Sequence, residues 1–364
     1  MAILGSRRKS VLFTGYAPVH FLCFRPLYEH FAAAGEIEVR LSGGLRRKTA
    51  AGVTHDPPGL YDPFGIPAEH VLPVEEIRRR NFDVLFAANT QMILPRSAHR
   101  RVQIFHGISF RNRAVRGSDC APDHYFIVGP YMRRACAAAG LIAADDPRGL
   151  EIGFPKTDRL LNGELDRGRL LAAEGLTGER PVVLYAPTGL RHNSLETMGE
   201  EVIRRLAASA RYDLLIKLHD HPKNTAIDWR RRLEPLLGRH TKLASSADVV
   251  PLLALADLLV SDASSVSSEY SLLDRPMVFL DVPQLLARER QRPDSMLDLE
   301  TWGRRGGALV EHPEEIVDAV AEALAHPERH TEVRREMVGD LFYHPGGATR
   351  AALAWFDEVL ADEL

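Results

Sequence analysis

Cysteine is scarce in this chain of 364 residues, and its scarcity bears on both the redox setting and the metal chemistry. The three cysteines, Cys23, Cys120 and Cys136, lie far apart and form no Cys-x-x-Cys pair. Neither a disulfide framework nor a cysteine zinc site is therefore expected. We predict a reducing, cytoplasmic setting.

Long apolar runs and an excess of charge of one sign are also missing. Nowhere do about 18 apolar residues follow one another, so we expect no membrane-spanning helix. The run that follows Met1 to Ser10 is short and strand-like and has no small-residue cleavage site, so we expect no signal peptide. The 46 basic and 49 acidic residues give a net charge of −3. Because nucleic-acid binders normally carry a basic excess, we expect no nucleic-acid partner.

The chain does have length, at about twice the ~100–200 residues of one domain. Short apolar runs alternate with helical patterns on both sides of a polar stretch at 162–180, which is typical of parallel strands covered by helices. We predict an α/β fold with two domains, residues 1–160 and residues 161–345. A C-terminal helix at 346–364 is predicted to pack back on the first domain. The segment from Leu45 to Pro73, rich in Gly, Pro, Asp and Arg, is predicted to be a long surface loop.

The strand predictions depend on apolar runs in each half of the chain. Three helices are predicted near the C-terminus, at about Glu314–Ala325, Glu332–Phe342 and Thr349–Leu360. The predicted strands are Val11–Phe13, Val84–Phe86, Val102–Phe105, Phe126–Val128, Val182–Tyr185, Leu214–Ile216, Leu258–Val260 and Met277–Leu280.

Ligands of open α/β sheets bind outside the carboxyl ends of the strands, so the residues just after each run are the candidates for chemistry. His106 and Gly107 follow the run that ends at Phe105. A histidine that leaves a buried strand before a glycine turn is well placed to act as a general base. A ring that only caps the turn is the structural alternative.

A second group of candidates follows the run that ends at Ile216. Lys217, His219 and His221 alternate along the chain, so they share a face if the strand continues. Contact with an anion or substrate is the favoured interpretation. A solvated loop and a metal site built on the His-x-His pair are the alternatives, and no cluster of carboxylates completes such a metal site.

A third group follows the run that ends at Val260. Asp262, Ser264, Ser265 and Glu269 stand where a helix is predicted to begin, so hydroxyls and backbone N–H groups there favour a phosphate cradle. An ordinary capping box, with Ser265 and either Ser268 or Glu269, is the alternative.

Two weaker candidates complete the set. Thr188 follows the run Val182–Tyr185, and Lys156 and Asp158 stand at the domain junction, where neighbouring glycine and proline could equally serve a hinge. No Walker loop, no Gly-x-Gly-x-x-Gly after the first strand and no Gly-x-Ser-x-Gly elbow is found, which weighs against a Walker-type ATPase, a dinucleotide dehydrogenase and an α/β-hydrolase.

Taken together, these segments resemble the CDP-glycerol glycerophosphotransferase family, the teichoic-acid polymerases and primases. The resemblance covers about residues 100–350. The matching segments are His106-Gly107, Gly153-Phe154-Pro155-Lys156-Thr157-Asp158, Leu184-Tyr185-Ala186-Pro187-Thr188, Ile216-Lys217-Leu218-His219, Ser261-Asp262-Ala263-Ser264-Ser265, Arg275-Pro276 and Phe342-Tyr343-His344-Pro345-Gly346-Gly347-Ala348.

The resemblance implies a GT-B-like fold, in which two Rossmann-like domains face a central cleft, the first on the acceptor side and the second on the nucleotide-donor side. It implies that His106 is the base on the acceptor hydroxyl and that His219 stabilises the pyrophosphate or the leaving nucleotide. Ser264 and Ser265 would contact the donor phosphates, with Asp262 holding the turn. No cofactor and no metal are expected.

Three segments depart from the family pattern. Phe110 and Arg111 stand where the family often has a lysine after its His-Gly pair. Lys217 replaces an arginine, which keeps the charge and loses the bidentate fork. In the helix after the serines, the family usually has an acidic residue that follows an aromatic one; Glu269 stands in for the acidic residue, but Ser268 precedes it. These departures bear on the group transferred more than on the fold.

The implied reaction moves a glycerol-phosphate or related polyol-phosphate group from a CDP-activated donor to a hydroxyl of a cell-envelope polymer or lipid-linked acceptor, and it releases CMP. Transfer or epimerisation of a nucleotide-sugar and a non-catalytic role in envelope assembly are the alternatives. Peripheral contact with the inner face of the membrane would use basic clusters, which could equally be solvated surface. These clusters are Arg7-Arg8-Lys9, Arg46-Arg47-Lys48 and Arg111-Asn112-Arg113.

Overall fold

The structure is a computed structural model that describes residues 8–50, 52–88, 91–107, 121–220, 224–292 and 299–361. The described residues form two compact units. Residues 8–107, 121–158 and 342–361, with the gaps just given, belong to the first unit, and those of 159–341 belong to the second.

The first unit is built on a seven-stranded parallel sheet with a separate antiparallel hairpin. Its strands are β1 (Ser10–Gly15), β2 (Glu38–Gly43), β3 (Leu45–Thr49), β4 (Gly52–Asp56), β5 (Val71–Leu72), β6 (Asn81–Ala87), β7 (Ser97–Ile104), β8 (His124–Ile127) and β9 (Gly149–Glu151). The sheet has the order β5-β2-β1-β6-β7-β8-β9, and β3 pairs with β4 in the hairpin.

Helices cover this sheet and include the last one of the chain. They are α1 (Pro18–Ala34), α2 (Pro57–Tyr61), α3 (Val74–Ile77), α4 (Pro130–Ala138) and α13 (Ala348–Ala361). In the core, Phe13 of β1 stacks on Phe24 of α1 at 4.9 Å and on Phe86 of β6 at 5.1 Å between ring centroids. Leu12 and Leu85, which alternate with these rings along β1 and β6, belong to a separate buried cluster. Burial on both faces explains why the two strands consist of continuous apolar residues.

The C-terminal segment returns to the first unit. The backbone N–H of Tyr343 donates to the Val128 carbonyl at 2.7 Å, just past β8. On α13, Phe356 packs on Phe31 of α1 at 4.6 Å, and Trp355 lies edge-on to Phe126 at 5.2 Å between ring centroids. Helix α13 is therefore part of the first unit's core.

The second unit is a six-stranded parallel sheet with helices between its strands. Its strands are β10 (Val182–Tyr185), β11 (Asp213–Ile216), β12 (Thr241–Leu243), β13 (Leu258–Ser261), β14 (Met277–Leu280) and β15 (Ala308–Val310), in the order β12-β11-β10-β13-β14-β15. Its helices are α5 (Arg167–Ala173), α6 (Glu200–Ser209), α7 (Trp229–Leu233), α8 (Val249–Leu255), α9 (Val266–Tyr270), α10 (Pro283–Arg290), α11 (Ile316–Ala325) and α12 (Thr331–Leu341).

The predicted α/β class with two parallel sheets is confirmed, and each predicted apolar run lies in a strand or extends one residue past its end. The predicted surface loop from Leu45 to Pro73 is wrong. That stretch holds the β3–β4 hairpin, helix α2 and strand β5, and it buries Leu60 and Tyr61. Its glycines and prolines punctuate short elements, since Gly44 at a φ of 121° starts the hairpin and a proline begins α2.

Among the described residues, no helix combines the length and the apolar character needed to cross a bilayer.

Candidate active site

His106 leaves the carboxyl end of β7 in the first unit and is partly buried. Its Nδ1 lies 3.0 Å from the carbonyl oxygen of Ala88, which follows the neighbouring strand β6. A carbonyl oxygen only accepts, so Nδ1 carries a proton in this contact. In the neutral ring, Nε2 therefore keeps its lone pair, which is the form that a general base requires.

The charge of His106 is set by its surroundings. Burial lowers the pKa of the imidazole, the hydrogen bond to Ala88 opposes this, and the Lys156 ammonium lowers the pKa further. The ring is consequently neutral at pH 7. Tautomer and charge thus both suit proton abstraction by Nε2.

His20 is a neighbour of His106 that sequence reasoning missed. It is buried in α1, and its ring lies edge-on to that of His106 at 4.9 Å between centroids. Its Nδ1 accepts from the backbone N–H of Tyr16 at 3.1 Å, so in the neutral ring the proton is on Nε2. His20 follows β1 by five residues. The strand-end rule that selected His106, applied to β1, would have found it.

Three other predicted residues lie in the first unit. Lys156 is buried, with its ammonium 5.7 Å from the centroid of the Phe154 ring. Asp158 is also buried, and its two carboxylate oxygens accept from the backbone N–H groups of Ala348 at 3.1 Å and Thr349 at 2.7 Å. Asp158 therefore caps the start of α13. Gly107 is also buried.

In the second unit, Asp262 clamps the loop after β10. Its carboxylate accepts from the backbone N–H of Thr188 at 2.8 Å, from the backbone N–H of Ser194 at 3.0 Å and from the Ser194 hydroxyl at 2.8 Å. That hydroxyl also lies 2.9 Å from the Tyr185 hydroxyl. Burial raises the pKa of Asp262, while these donors act in the opposite direction.

Lys217 and His219 are placed differently from the prediction. Strand β11 ends at Ile216, so both residues lie beyond it and the alternation along a strand does not apply. The Lys217 ammonium pairs with Asp220 at 2.6 Å. His219 is exposed, and its ring lies against Gly189, where a Cβ atom would stand 2.5 Å from Nδ1. His221 lies outside the described residues.

The tandem serines Ser264 and Ser265 immediately precede α9, and both are partly exposed. The Ser264 hydroxyl accepts from the backbone N–H of Val266 at 3.4 Å, and the Ser265 side chain makes no capping bond. The capping box considered from the sequence is thus not formed by Ser265. Glu269 is only 3% exposed, which places it in the interior of the unit.

The sheet order explains why the loops of the second unit meet. Strand β10 lies between β11 and β13, and all three run parallel, so Thr188, His219 and Ser264 follow neighbouring strands at one edge of the sheet. Hydroxyls, an imidazole and an ammonium at one edge are groups that hold phosphate oxygens. Among the described residues, no group of three His, Cys, Asp or Glu side chains could hold a metal ion.

Comparison with known protein families identifies the family of this chain. The model of the CDP-glycerol:poly(glycerophosphate) glycerophosphotransferase family matches residues 97–351. The chain belongs to this family. The matched range includes each candidate residue predicted from the sequence, from His106 to Glu269, whereas His20 lies outside it.

The curated proteins that this family member resembles are named as teichoic-acid enzymes. The teichoic acid glycerol-phosphate primase of Bacillus spizizenii is 29% identical over 170 residues, which cover 46% of this chain and 39% of the primase. The teichoic acid poly(glycerol phosphate) polymerase of Staphylococcus epidermidis is 28% identical over 148 residues, or 37% of this chain and 19% of the polymerase. The chain thus matches less than half the length of these relatives.

Solved structures share the fold of this family member. The wall teichoic acid polymerase TagF superposes with a TM-score of 0.65 and 14% identity, over 98% of this chain and 90% of TagF. The UDP-GlcNAc 2-epimerase from Neisseria meningitidis bound to UDP-GlcNAc gives a TM-score of 0.56 and 13% identity, over 97% of this chain and all of the epimerase. The predicted GT-B-type fold is confirmed by these likenesses.

Proposed function

We propose that the protein transfers a glycerol-phosphate or related polyol-phosphate group from a CDP-activated donor to a hydroxyl of a cell-wall polymer and releases CMP. Family membership supports the reaction type, and the names of the relatives support a teichoic-acid acceptor. The observation that carries the proposal within the chain is His106, whose Ala88 contact and lowered pKa leave Nε2 as a base.

In the proposed step, Nε2 of His106 takes the proton of the acceptor hydroxyl. The hydroxyl oxygen attacks the phosphorus that carries the glycerol, the bond from this phosphorus to the bridging oxygen breaks, and CMP leaves with that electron pair. Negative charge grows on the leaving phosphate, so the protein mainly supplies positioning and positive potential.

The second unit would hold the donor. The hydroxyls of Ser264 and Ser265 and the imidazole of His219 are reachable from solvent, and we assign them to the donor phosphates. Asp262 would act indirectly, since its three donors fix the loop that carries Thr188 and Gly189. Lys217 would contribute charge once its Asp220 partner is exchanged for phosphate.

CMP release tests the proposal. The chain is assayed with CDP-glycerol and with CDP-ribitol in the presence of a polyol-phosphate acceptor, and we expect turnover of at least one donor. His106→Ala should lower kcat by about 10²–10⁴-fold, the usual contribution of a general base. His30→Ala, at an exposed position on α1, is the control and should keep full activity. No turnover of either donor, or an unimpaired His106→Ala variant, would contradict the proposal.

Peripheral membrane contact belongs to the same proposal, because a lipid-linked acceptor would bring the chain to a membrane. Of the basic clusters, Arg7 and residues 111–113 lie outside the described residues. Arg8 donates to the carbonyl oxygens of Gly35 and Ile37, and Arg47 pairs with Asp56. Co-sedimentation with vesicles tests the contact, and binding that does not increase with anionic lipid would contradict it.

A further inference from the structure

A cavity of 340 Å³ opens in the first unit beside the β3–β4 hairpin. Its wall carries basic and aromatic side chains, Arg46 and His55 from the hairpin, Arg78 just after α3 and Tyr16 just after β1. Apolar side chains complete the lining, among them Val53 and Leu94. None of these residues falls within the range that the family model matches.

The positive charge of this cavity comes from Arg46 and Arg78. Arg46 donates to the Gln91 side-chain oxygen at 2.7 Å, and its guanidinium lies 5.5 Å from the centroid of the Tyr16 ring. Within the described residues, neither Arg46 nor Arg78 forms an ion pair, whereas Arg47 pairs with Asp56 and Arg80 pairs with Glu76. The cavity therefore holds two guanidinium groups whose charges a ligand could neutralise.

The pKa of His55 reflects the positive charge of these two arginines. Burial lowers the pKa of His55, the charges of Arg46 and Arg78 lower it further, and only Glu75 acts in the opposite direction. The neutral imidazole leaves the arginines as the local positive charges. An anion with several oxygens suits them, because guanidinium groups bind phosphate through paired N–H donors.

The cavity also has exposed apolar surface. Val53 and Leu94 are 45% and 38% exposed, although both are large hydrophobic residues. Exposed apolar side chains beside two arginines favour a ligand in which a phosphate is joined to a carbon chain, rather than inorganic phosphate alone.

A row of rings connects this cavity to the candidate base. The Tyr16 ring lies edge-on to that of His20 at 4.6 Å between centroids, and the His20 ring lies 4.9 Å from that of His106. All of these residues belong to the first unit. A ligand held by its phosphate beside Tyr16 is thus two ring contacts away from His106.

We propose that this cavity binds the terminal phosphodiester of the acceptor, the group that precedes the glycerol whose hydroxyl is attacked. The inference rests on the proposed function, since it names the acceptor contact of that reaction. Arg46 and Arg78 hold the phosphodiester, and the apolar wall packs against the carbons of the polyol. The next glycerol then extends along Tyr16 and His20 towards Nε2 of His106.

Binding of a soluble phosphodiester tests the inference without any turnover. Glycerophosphoglycerol is titrated calorimetrically into the full chain, into the double variant Arg46→Gln/Arg78→Gln and into the control Arg47→Gln/Arg79→Gln, which changes the adjacent exposed arginines. We expect the double variant to bind at least about tenfold more weakly, as the loss of charge-assisted bonds implies. The control should stay within about twofold of the parent, because neither Arg47 nor Arg79 lines the cavity.

CDP-glycerol binding separates this inference from the proposed function. Both variants should bind CDP-glycerol as the parent does, since the donor contacts belong to the second unit. If the parent binds CDP-glycerol while glycerophosphoglycerol binds neither parent nor variant, or binds both equally, the cavity assignment is overturned and the proposed function stands. If the parent neither binds nor turns over a CDP-linked donor, the proposed function fails first.

A vesicle arm distinguishes the source of the phosphate. The same variants are sedimented with phosphatidylglycerol vesicles and with phosphatidylcholine vesicles. Soluble glycerophosphoglycerol binding that needs Arg46 and Arg78 supports the acceptor assignment. Binding only to phosphatidylglycerol vesicles, lost in the double variant, would overturn it in favour of a lipid-headgroup site.

Discussion

One backbone carbonyl, that of Ala88, holds the His106 ring in the tautomer that a general base needs. The same residue is kept uncharged by burial and by Lys156, which outweigh the opposing hydrogen bond. At the residue scale, the Ala88 carbonyl sets the position of the proton, whereas burial and Lys156 lower the pKa against the effect of that hydrogen bond. A substitution can change one without the other.

The pH dependence of the reaction follows from the lowered pKa of His106. The base stays deprotonated below the ordinary histidine value of 6.5, so the acid limb of kcat/KM should lie below pH 6.5. The neutral ring also favours the folded state above that pH, and this contribution is lost as the pH falls through the folded-state pKa. A pH profile of CMP release checks the limb. A limb at or above pH 7 would contradict the assignment.

Asp262→Asn should destabilise the second unit. The carboxylate accepts three hydrogen bonds in a fully buried site, and an amide would direct N–H hydrogens at one of these donors. We expect a loss of about 2–3 kcal/mol in the free energy of unfolding, measured by urea denaturation. Asp145→Asn, at an exposed position, is the control and should change stability by less than about 0.5 kcal/mol.

At the scale of elements, the loop after β10 is held from both sides. Asp262, which follows β13, accepts from Thr188, and the His219 ring, beyond β11, lies against Gly189. The neighbouring hydrophobic residues Leu190 and Ala263 pack together with Val282. The position of His219 therefore depends on the absence of a side chain at residue 189.

Gly189→Ala should impair activity more than stability. The new Cβ would stand 2.5–2.9 Å from atoms of the His219 ring, which is exposed and can move aside. We expect kcat/KM to fall about tenfold, as one charge-assisted contact is worth, with thermal unfolding shifted by only a few degrees. Gly238→Ala, where a Cβ meets open space, is the matched control. Equal activity in the two variants would contradict a role for His219.

Asp158→Ala tests whether this residue caps a helix or contacts substrate. Because its carboxylate accepts from the first backbone N–H groups of α13, we expect stability to fall by about 1–2 kcal/mol, and Asp158→Asn to lose less. Urea unfolding gives the stability, and the KM for the donor gives the substrate effect. A large rise in KM at unchanged stability would favour substrate contact instead.

At the scale of the whole molecule, the first unit is assembled from chain segments far apart in sequence. Residues 342–361 complete its core, and Phe356, 1% exposed, packs on Phe31. The described residues of the second unit come from one stretch of the chain, between 159 and 341. Folding of the first unit thus requires the far end of the chain.

Phe356→Ala should weaken the first unit selectively. Loss of a buried aromatic ring typically costs about 3–5 kcal/mol, so hydrogen exchange measured by mass spectrometry should speed up in β1 and β6 and stay unchanged in β10 and β13. Phe279→Ala, at a fully buried position on β14, should give the reverse pattern. Uniform acceleration in both units by Phe356→Ala would show that they unfold together.

Much of the architecture was predictable from local sequence. The central strands are apolar on both faces because helices cover both sides of each sheet, so β1, β6, β10 and β13 could be recognised as apolar runs. Their carboxyl ends then indicated His106, Asp262 and the tandem serines. Strands at the margins, such as β2 with its charged residues and the three-residue β9, β12 and β15, carry too few apolar residues to be recognised alone.

Burial of strands leaves a local apolar pattern and the motifs are contiguous, so the order of residues was enough to predict two parallel sheets, the family and the candidates at the strand ends. Folding brings His20 beside His106, places Asp158 at the start of a helix 190 residues away and puts Arg46 and Arg78 in one cavity. These contacts join residues whose local sequence contains no trace of the partner. The chain must fold before such side chains meet.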